Sequence, residues 1–285
     1  MKKDHKNLIK IIVAIVIILD ILVWSTIFNF WKSGNAEIYF LDVGQGDGTL
    51  VIFKNNVKLL IDGGPMNGRV GKNLEEILPL ADRYIDLIMV SHAQLDHFGG
   101  LIDVMKNFRV GAVLMSEYGS ENATWKEFER VRVERKIPKV VIAQGDRILY
   151  GDSKLDILWP KQGVYFKDLN EVAIGVFAEI GGMRAFFGGD MGIKEEAELA
   201  RKYDLDVDIL KVSHHGSKFS SDAGFLKEAS PLVSVIEVGK NSYGHPTKEA
   251  LSRLAAAGSQ IFRTDLDGFV KVALENGKLR VYIQK

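Results

Sequence analysis

The stretch IMVSHAQLDHFGG, residues 88–100, begins as a strand and ends as a helix. Ile88–Val90 is an apolar run, and FGGLIDVMKNF after it carries apolar residues at spacings of three and four, which predicts a helix over 98–108. At the switch sit His92, Gln94, Asp96 and His97. Three of these are good metal ligands, and Gln94 offers only a neutral amide oxygen. The stretch is therefore a working metal site, a weakened one, or a polar loop.

Outward from it, the chain alternates. Short strands are expected at EIYFLDV, GTLVIFKN and VKLLIDG, then at YIDLIMVS and AVLMS, with helices near 73–80 and over ATWKEFERVRVERK. After Pro138 come the strands KVVIAQ, RILY, LDILWP, VAIGVFAEI and MRAFFGG. The last third reads helix KEEAELARKY, strand VDILKVS, helix DAGFLKEA, strand LVSVIEVG and helix TKEALSRLAAAG, and QIFRTD, GFVKVALE and KLRVYIQ close the chain as strands. This order, β-rich then βα, twice over, predicts two similar halves packed as a four-layer α/β sandwich with the helices outside.

The polar clusters fall where strands end: SHAQLDH, GGDM with Asp190, KVSHHGS with His214 and His215, and GKNSYGHP with His245. Of the six histidines, all but His5 lie in these clusters. One histidine is usually a surface or core residue, but five beside Asp96 and Asp190 at strand ends form the ligand set of a zinc or manganese hydrolase. Asp62 in LLIDGG, and Asp42, Gln45 and Asp47 in DVGQGDG, read first as turn formers. No GK[ST] follows Gly46 and Gly48, so that loop is not a phosphate-binding loop. The chain lacks cysteine, which excludes disulfides, thiolate metal sites and a thiol nucleophile.

The N-terminus differs. MKKDHKNLIK precedes an apolar run from Ile11 to about Phe30, long enough as a helix to span a bilayer core, with Trp24, Phe28 and Trp31 as an aromatic border and Asp20 as its one charge. The run is long for a signal peptide and no small-x-small cleavage site follows it. Residues 1–31 are thus expected to be a cytoplasmic stub and single-pass transmembrane helix, 32–36 a linker, and 37–285 one domain outside the membrane, since lysines precede the span. Removing Lys2, Lys3, Lys6, Lys10, Asp4 and Asp20 from the 37 positive and 37 negative residues leaves 33 and 35, a net of about −2, so gross charge does not recruit a polyanion.

The ordered set SHAQLDHFGG, FFGGDM, VSHHGS and YGHP resembles the metallo-β-lactamase superfamily. More narrowly, FLDVGQGDG, LLIDGG, DILKVSHHGSKFSS, VGKNSYGHP and FRTDLDG resemble the C-terminal hydrolase domain of the ComEC DNA-uptake family, from about Glu37 to the end. The resemblance implies a four-layer αββα sandwich and one or two divalent ions, Mn or Zn. Against its H-x-H-x-D-H motif, His92, Asp96 and His97 match and Gln94 departs. Asn170 matches the place of the next metal histidine, where the family often has Asn. Asp190 matches the bridging carboxylate and His245 the last metal histidine. His214 or His215 ligates the metal or contacts phosphate. Asp96, His214 and His215 are the candidate catalytic residues. One metal position, with Asp96, His97, Asp190 and a histidine, is complete; the other, with His92, Gln94, Asn170 and Asp190, is oxygen-rich and weak. The expected activity is that of a monomeric, membrane-anchored phosphodiesterase acting on single-stranded or double-stranded DNA beside an uptake channel. Competing readings are a phosphorylcholine-type esterase of the cell envelope, a β-lactam hydrolase, and a metal-binding module without turnover.

Overall fold

The computed structural model describes residues 2–32, 34–164 and 166–285, and within the helix Lys2–Lys32 it describes the side chains of Asn7 and of residues 10–25. Fifteen strands follow that helix: β1 (Glu37–Phe40), β2 (Thr49–Ile52), β3 (Lys58–Ile61), β4 (Tyr84–Val90), β5 (Arg109–Met115), β6 (Lys139–Val141), β7 (Arg147–Tyr150), β8 (Ser153–Trp159), β9 (Gly175–Ile180), β10 (Met183–Phe187), β11 (Ile209–Lys211), β12 (Val233–Ile236), β13 (Gln260–Arg263), β14 (Val270–Glu275) and β15 (Lys278–Ile283). They form an eight-stranded sheet, β15-β14-β1-β2-β3-β4-β5-β6, and a seven-stranded sheet, β13-β12-β11-β10-β9-β8-β7. Both sheets are mixed. The run from β3 to β6 is parallel, as is the run from β10 to β13, and the remaining pairs are antiparallel.

Strand periodicity explains the layers. Side chains alternate faces along a strand, and in the central strands of each sheet both faces are buried. In β1, Ile38 and Phe40 point between the sheets while Tyr39 points under the outer helices. In β10, Ala185 and Phe187 face inward and Phe186 outward. The helices Arg69–Ile77, Leu101–Asn107 and Ala123–Glu134 cover the first sheet through Leu74, Ile102 and Phe128. Ile193–Lys202, Ala223–Ala229 and Lys248–Ala256 cover the second through Leu199, Phe225 and Leu254. Three apolar layers therefore lie between four structural ones. Each fully buried ring among Phe40, Phe98, Phe128, Phe186 and Phe225 contributes about 2–3 kcal/mol of transfer free energy, which offsets the cost of the charges gathered at the strand ends.

Four details depart from the sequence reading. The helix expected over 98–108 begins at Leu95 and breaks after Phe98, because Gly99 and Gly100 run against the backbone of residues 63–66. Asp96 and His97 consequently lie on a helical turn rather than in a loop. The strand expected through Asp265 ends at Arg263; Thr264–Asp267 is helical, held by the Thr264 hydroxyl on the Val238 backbone and by Asp267 accepting the Arg263 N–H. The chain's last hairpin, β14–β15, returns to the first sheet beside β1, so the two halves are not separate in space. Finally, Ala36, assigned to the linker, is buried in the layer between the sheets against Gly181.

Among the described residues no helix is long and apolar enough to cross a membrane. Of the expected anchor, the apolar side chains from Ile11 to Trp24 are more than half exposed. Those of Phe28 and Trp31 lie outside the described residues.

Candidate metal centre

The parallel strands point their C-terminal ends at one rim, where α/β folds build sites. Asp62 follows β3, Ser91 and His92 follow β4, Asp190 follows β10, His214 and His215 follow β11, and Glu237 follows β12. The loop of residues 42–47 folds over this rim. Gly46 lets it do so: its φ is +143°, and a Cβ there would lie 2.1 Å from the Asp96 carbonyl oxygen. Asp47 N–H in turn donates to that same carbonyl at 3.1 Å.

His97 is completely buried, with Nδ1 2.9 Å from Asp62 and 3.5 Å from Asp47, and Nε2 3.3 Å from Asp190. His215 is buried beside it. Its Nδ1 lies 2.9 Å from the Glu237 carbonyl oxygen and 3.1 Å from Asp47, and its Nε2 lies 3.5 Å from Asp96 and 3.6 Å from Asp190. His92 packs its ring on His97 at 4.1 Å between centroids and has Nδ1 3.0 Å from the Ser91 hydroxyl, which Asp62 binds at 2.5 Å. In all three histidines, Nδ1 is engaged from behind and Nε2 faces inward without a hydrogen-bond partner, as does Asp190 Oδ1. Orienting an imidazole through its second nitrogen is what outer carboxylates and carbonyls do for metal ligands.

Those inward atoms make a strict test of whether a metal fits. A buried polar atom without a partner costs about 1–3 kcal/mol, and four of them converge here. Ligand atoms of Asp96, His97 and His215 lie mutually within 4.8 Å, as do those of His92, His97 and Asp190. Divalent ions held by these two groups would satisfy the four atoms between them, and imidazole plus carboxylate is a donor set for zinc or manganese.

Charge compounds the effect. Burial opposes protonation of His97, but Asp190, Asp47 and Asp62 outweigh it and hold its pKa well above the usual value. Burial likewise opposes charge on His215, yet Asp190 and Asp47 push it up to about 10. His92 goes the other way, to about 4, through burial and the neighbouring His97. Burial would raise Asp190, but His215 and His97 hold it well below the carboxylate range. The centre therefore draws positive charge to a cluster of carboxylates, and a metal ion binding there displaces protons.

Not every residue singled out from the sequence joins this cluster. Gln94 donates its side-chain N–H to the Asn170 carbonyl oxygen, so the two amides of the weak position bind one another. His214 lies at its edge, half-buried, with Nε2 3.8 Å from Asp190. His245 is not among the converging ligands: its ring stands 5.6 Å from that of His214, and its buried Nδ1 has no partner. Among His214, His215 and His245, it is His215 whose Nε2 lies 3.5 Å from Asp96 and 3.6 Å from Asp190. His214 and His215 both have left-handed backbone, at φ +51° and +52°, a strain typical of functional sites. Their loop is held by Arg253, which donates to the carbonyls of Lys218, Ser220 and Ser221, and by buried Glu196, which accepts the Ser221 N–H.

The centre opens into a cavity of about 400 Å³ lined by Gln45, Pro65, Leu95, Tyr243, His214 and His245, among others. The wall carrying Tyr243 is rigid. Asn241 bonds the backbone at Gly239, Tyr243 and His245, and a Cβ on Gly239 would lie 2.4 Å from the Gly44 backbone.

The supporting shell was harder to see from sequence. Asp62 and Asp47 read as turn formers, yet they orient His97 and, for Asp47, His215. Lys211 and Glu237 were missed. Each is a charged residue inside an apolar strand run, ILK in β11 and SVIE after β12, and that mismatch with strand patterning was the available signal.

Residues 58–236 match the model of the beta-lactamase superfamily domain, and the chain belongs to that superfamily. Its fold is that of the superfamily, and its clustered histidines and carboxylates suit a metal-dependent hydrolase. Within the superfamily it is related to competence proteins. It is 26% identical over 271 residues to ComE operon protein 3 of Bacillus subtilis, an alignment covering 88% of this chain and 35% of that protein. It is 28% identical over 270 residues to Competence protein ComA of Neisseria gonorrhoeae, again covering 88% and 35%. The chain thus spans about a third of the length of these relatives. The fold is shared with the metallo hydrolase Igni18 of Ignicoccus hospitalis, with a TM-score of 0.53 at 14% identity over 87% of this chain and 100% of that one.

Proposed function

We propose that this chain is a metal-dependent phosphodiesterase that cleaves DNA outside the membrane to which its N-terminal helix anchors it. The observation that carries the reading is the meeting of two ligand groups, Asp96–His97–His215 and His92–His97–Asp190, beneath an open cleft lined by Asp96, Asp190 and His215. A divalent ion held by these residues supplies positive charge to phosphoryl oxygens and the acidity that activates a water. Asp190 and Asp96 fix that charge at the cleft floor. Asp62, Asp47 and the Glu237 carbonyl lock the histidine rings with Nε2 forward. His214, at the cleft edge, has its pKa lowered by burial and neighbouring cations, and its ring is placed to hydrogen-bond the leaving oxygen.

DNA as substrate is supported by the competence relatives and by local rather than overall charge: exposed Lys218 and Lys240 sit on the loops that bear His214 and Tyr243. Such a small basic footprint gives a shallow salt dependence of binding, and Tyr243, 73% exposed on the cleft wall, offers a stacking face for a base. A phosphorylcholine ester is less well matched, because a quaternary amine calls for an aromatic cage and Tyr243 is the one Phe, Tyr or Trp ring among these described wall residues. A DNA-uptake channel is the partner this reading implies, with the chain itself a monomer.

The test is cleavage of labelled single-stranded and duplex oligonucleotides by the full chain with Mn²⁺, with Zn²⁺ and with chelator. Metal-dependent cutting of DNA is expected. Metal-dependent hydrolysis of bis-(p-nitrophenyl) phosphate with no cutting of either DNA form would move the substrate elsewhere. Anchoring is supported by the exposed apolar side chains from Ile11 to Ile21 and at Trp24. The protein should stay in the membrane pellet through alkaline carbonate extraction, and release into the supernatant would contradict the anchor.

A further inference from the structure

Lys211 occupies a position that strand patterning reserves for an apolar side chain. It is two residues after Ile209 in β11 and so shares the face that Ile209 turns into the layer between the sheets. Its side chain is 3% exposed. The ammonium donates to Asp47 Oδ2 and, at 3.0 Å, to the carbonyl oxygen of Gly189, the residue before Asp190. Burial opposes its charge, but Asp47, Asp190 and Glu237 outweigh burial and keep it protonated. Glu237 Oε2 has no hydrogen-bond partner.

Asp47 matters because its carboxylate belongs to two further groups with metal-ligating geometry, Asp47–Asp190–His215 and Asp47–Asp62–His97, whose ligand atoms also lie within 4.8 Å of one another. Four overlapping groups share one small volume, more than a centre built around the Asp96–His97–Asp190–His215 floor needs. We infer that Lys211 is a resident cation standing on Asp47 in place of a metal ion, so that divalent metal is confined to the cleft side of the cluster and Asp47 is left to orient His97 and His215. Lys211 is thus a positioning residue that sets how many ions the centre holds. An ammonium is suited to this: it is a fixed single charge that does not exchange with solvent ions, and it has no lone pair to offer a metal while protonated.

Without it, Asp47, Asp190 and Glu237 lose the ammonium buried among them, which is costly, and a divalent ion is the available remedy. This rests on the metal-centre reading, and the experiment separates the two. Full-length wild type, Lys211→Met, Lys211→Arg and Lys211→Met/Asp47→Asn chains are equilibrated by dialysis at fixed free Mn²⁺, and bound metal per chain is measured by mass spectrometry. Lys211→Met is expected to bind about one ion more than wild type, while Lys211→Arg stays at the wild-type count and the double variant binds no more than wild type. An unchanged or lower count in folded Lys211→Met overturns the inference and leaves the metal centre standing; absence of metal from the wild type itself overturns both. If Lys211→Met folds poorly, its melting temperature is followed against Mn²⁺ concentration. A steeper rise than in wild type is expected, since a ligand that binds only the folded state stabilises it, and an equal or shallower rise overturns the proposal.

Discussion

An Asp190→Ala chain is expected to bind divalent metal at least about 100-fold more weakly than wild type and to show no hydrolysis above background. Removing an outer partner of a ligand already costs roughly 10–100-fold in metal affinity. Asp190 is not an outer partner: it faces His97 at 3.3 Å, His215 at 3.6 Å and His214 at 3.8 Å, and one carboxylate oxygen is buried without a hydrogen bond. Its loss also leaves His97 and His215 without the carboxylate that contributes most to their positive charge. The check is metal content after dialysis together with turnover of a phosphodiester at saturating Mn²⁺. Full occupancy with an unchanged rate would remove Asp190 from the centre.

The second large effect separates two histidines that the sequence already assigns to unequal positions. His97→Ala should drain the centre, whereas His92→Ala should leave most of its metal in place. His97 takes part in three of the groups with ligating geometry, including the one with Asp96 and His215, and His92 in one. Beside Asp190, the position that His92 serves has the amides of Gln94 and Asn170, and these amides hydrogen-bond each other. Gln94→His should break that pair and present an imidazole, raising zinc affinity at the weak position because imidazole is the better zinc donor. Metal stoichiometry after dialysis against limiting chelator, measured on the three variants, decides this. Equal losses from His92→Ala and His97→Ala, with no zinc gain from Gln94→His, would show the two positions to be equivalent.

Much of the fold was legible because its signals are local. Short apolar runs bounded by turn residues mark nearly every strand, and the βα order in both halves leads to two sheets with outer helices. What periodicity does not carry is which sheet a late strand joins, hence the return of β14 and β15 to β1. Helix boundaries were shifted by contacts distant in sequence: Gly99 and Gly100 read as part of a helix until the backbone of Gly63 and Gly64 runs beside them. The site was legible in its chemistry and less so in its geometry. Five histidines at strand ends point to a metal, but deciding among His214, His215 and His245 needs the left-handed turn at 214–215, which turns His215 inward and leaves His214 on the cleft wall. The outer shell of Asp47, Asp62, Lys211 and Glu237 is assembled from four separate strand ends or loops, and short-range spacing carries no trace of that meeting.

The central claim is that Asp96, His97, Asp190 and His215 together hold a catalytic divalent ion. Anomalous X-ray diffraction at the manganese edge, on crystals of the chain equilibrated with Mn²⁺, tests it most directly. The expected result is a strong peak bounded by Asp96, Asp190 and the Nε2 atoms of His97 and His215. A map with no peak among these four residues, or with its only peak elsewhere, would contradict it.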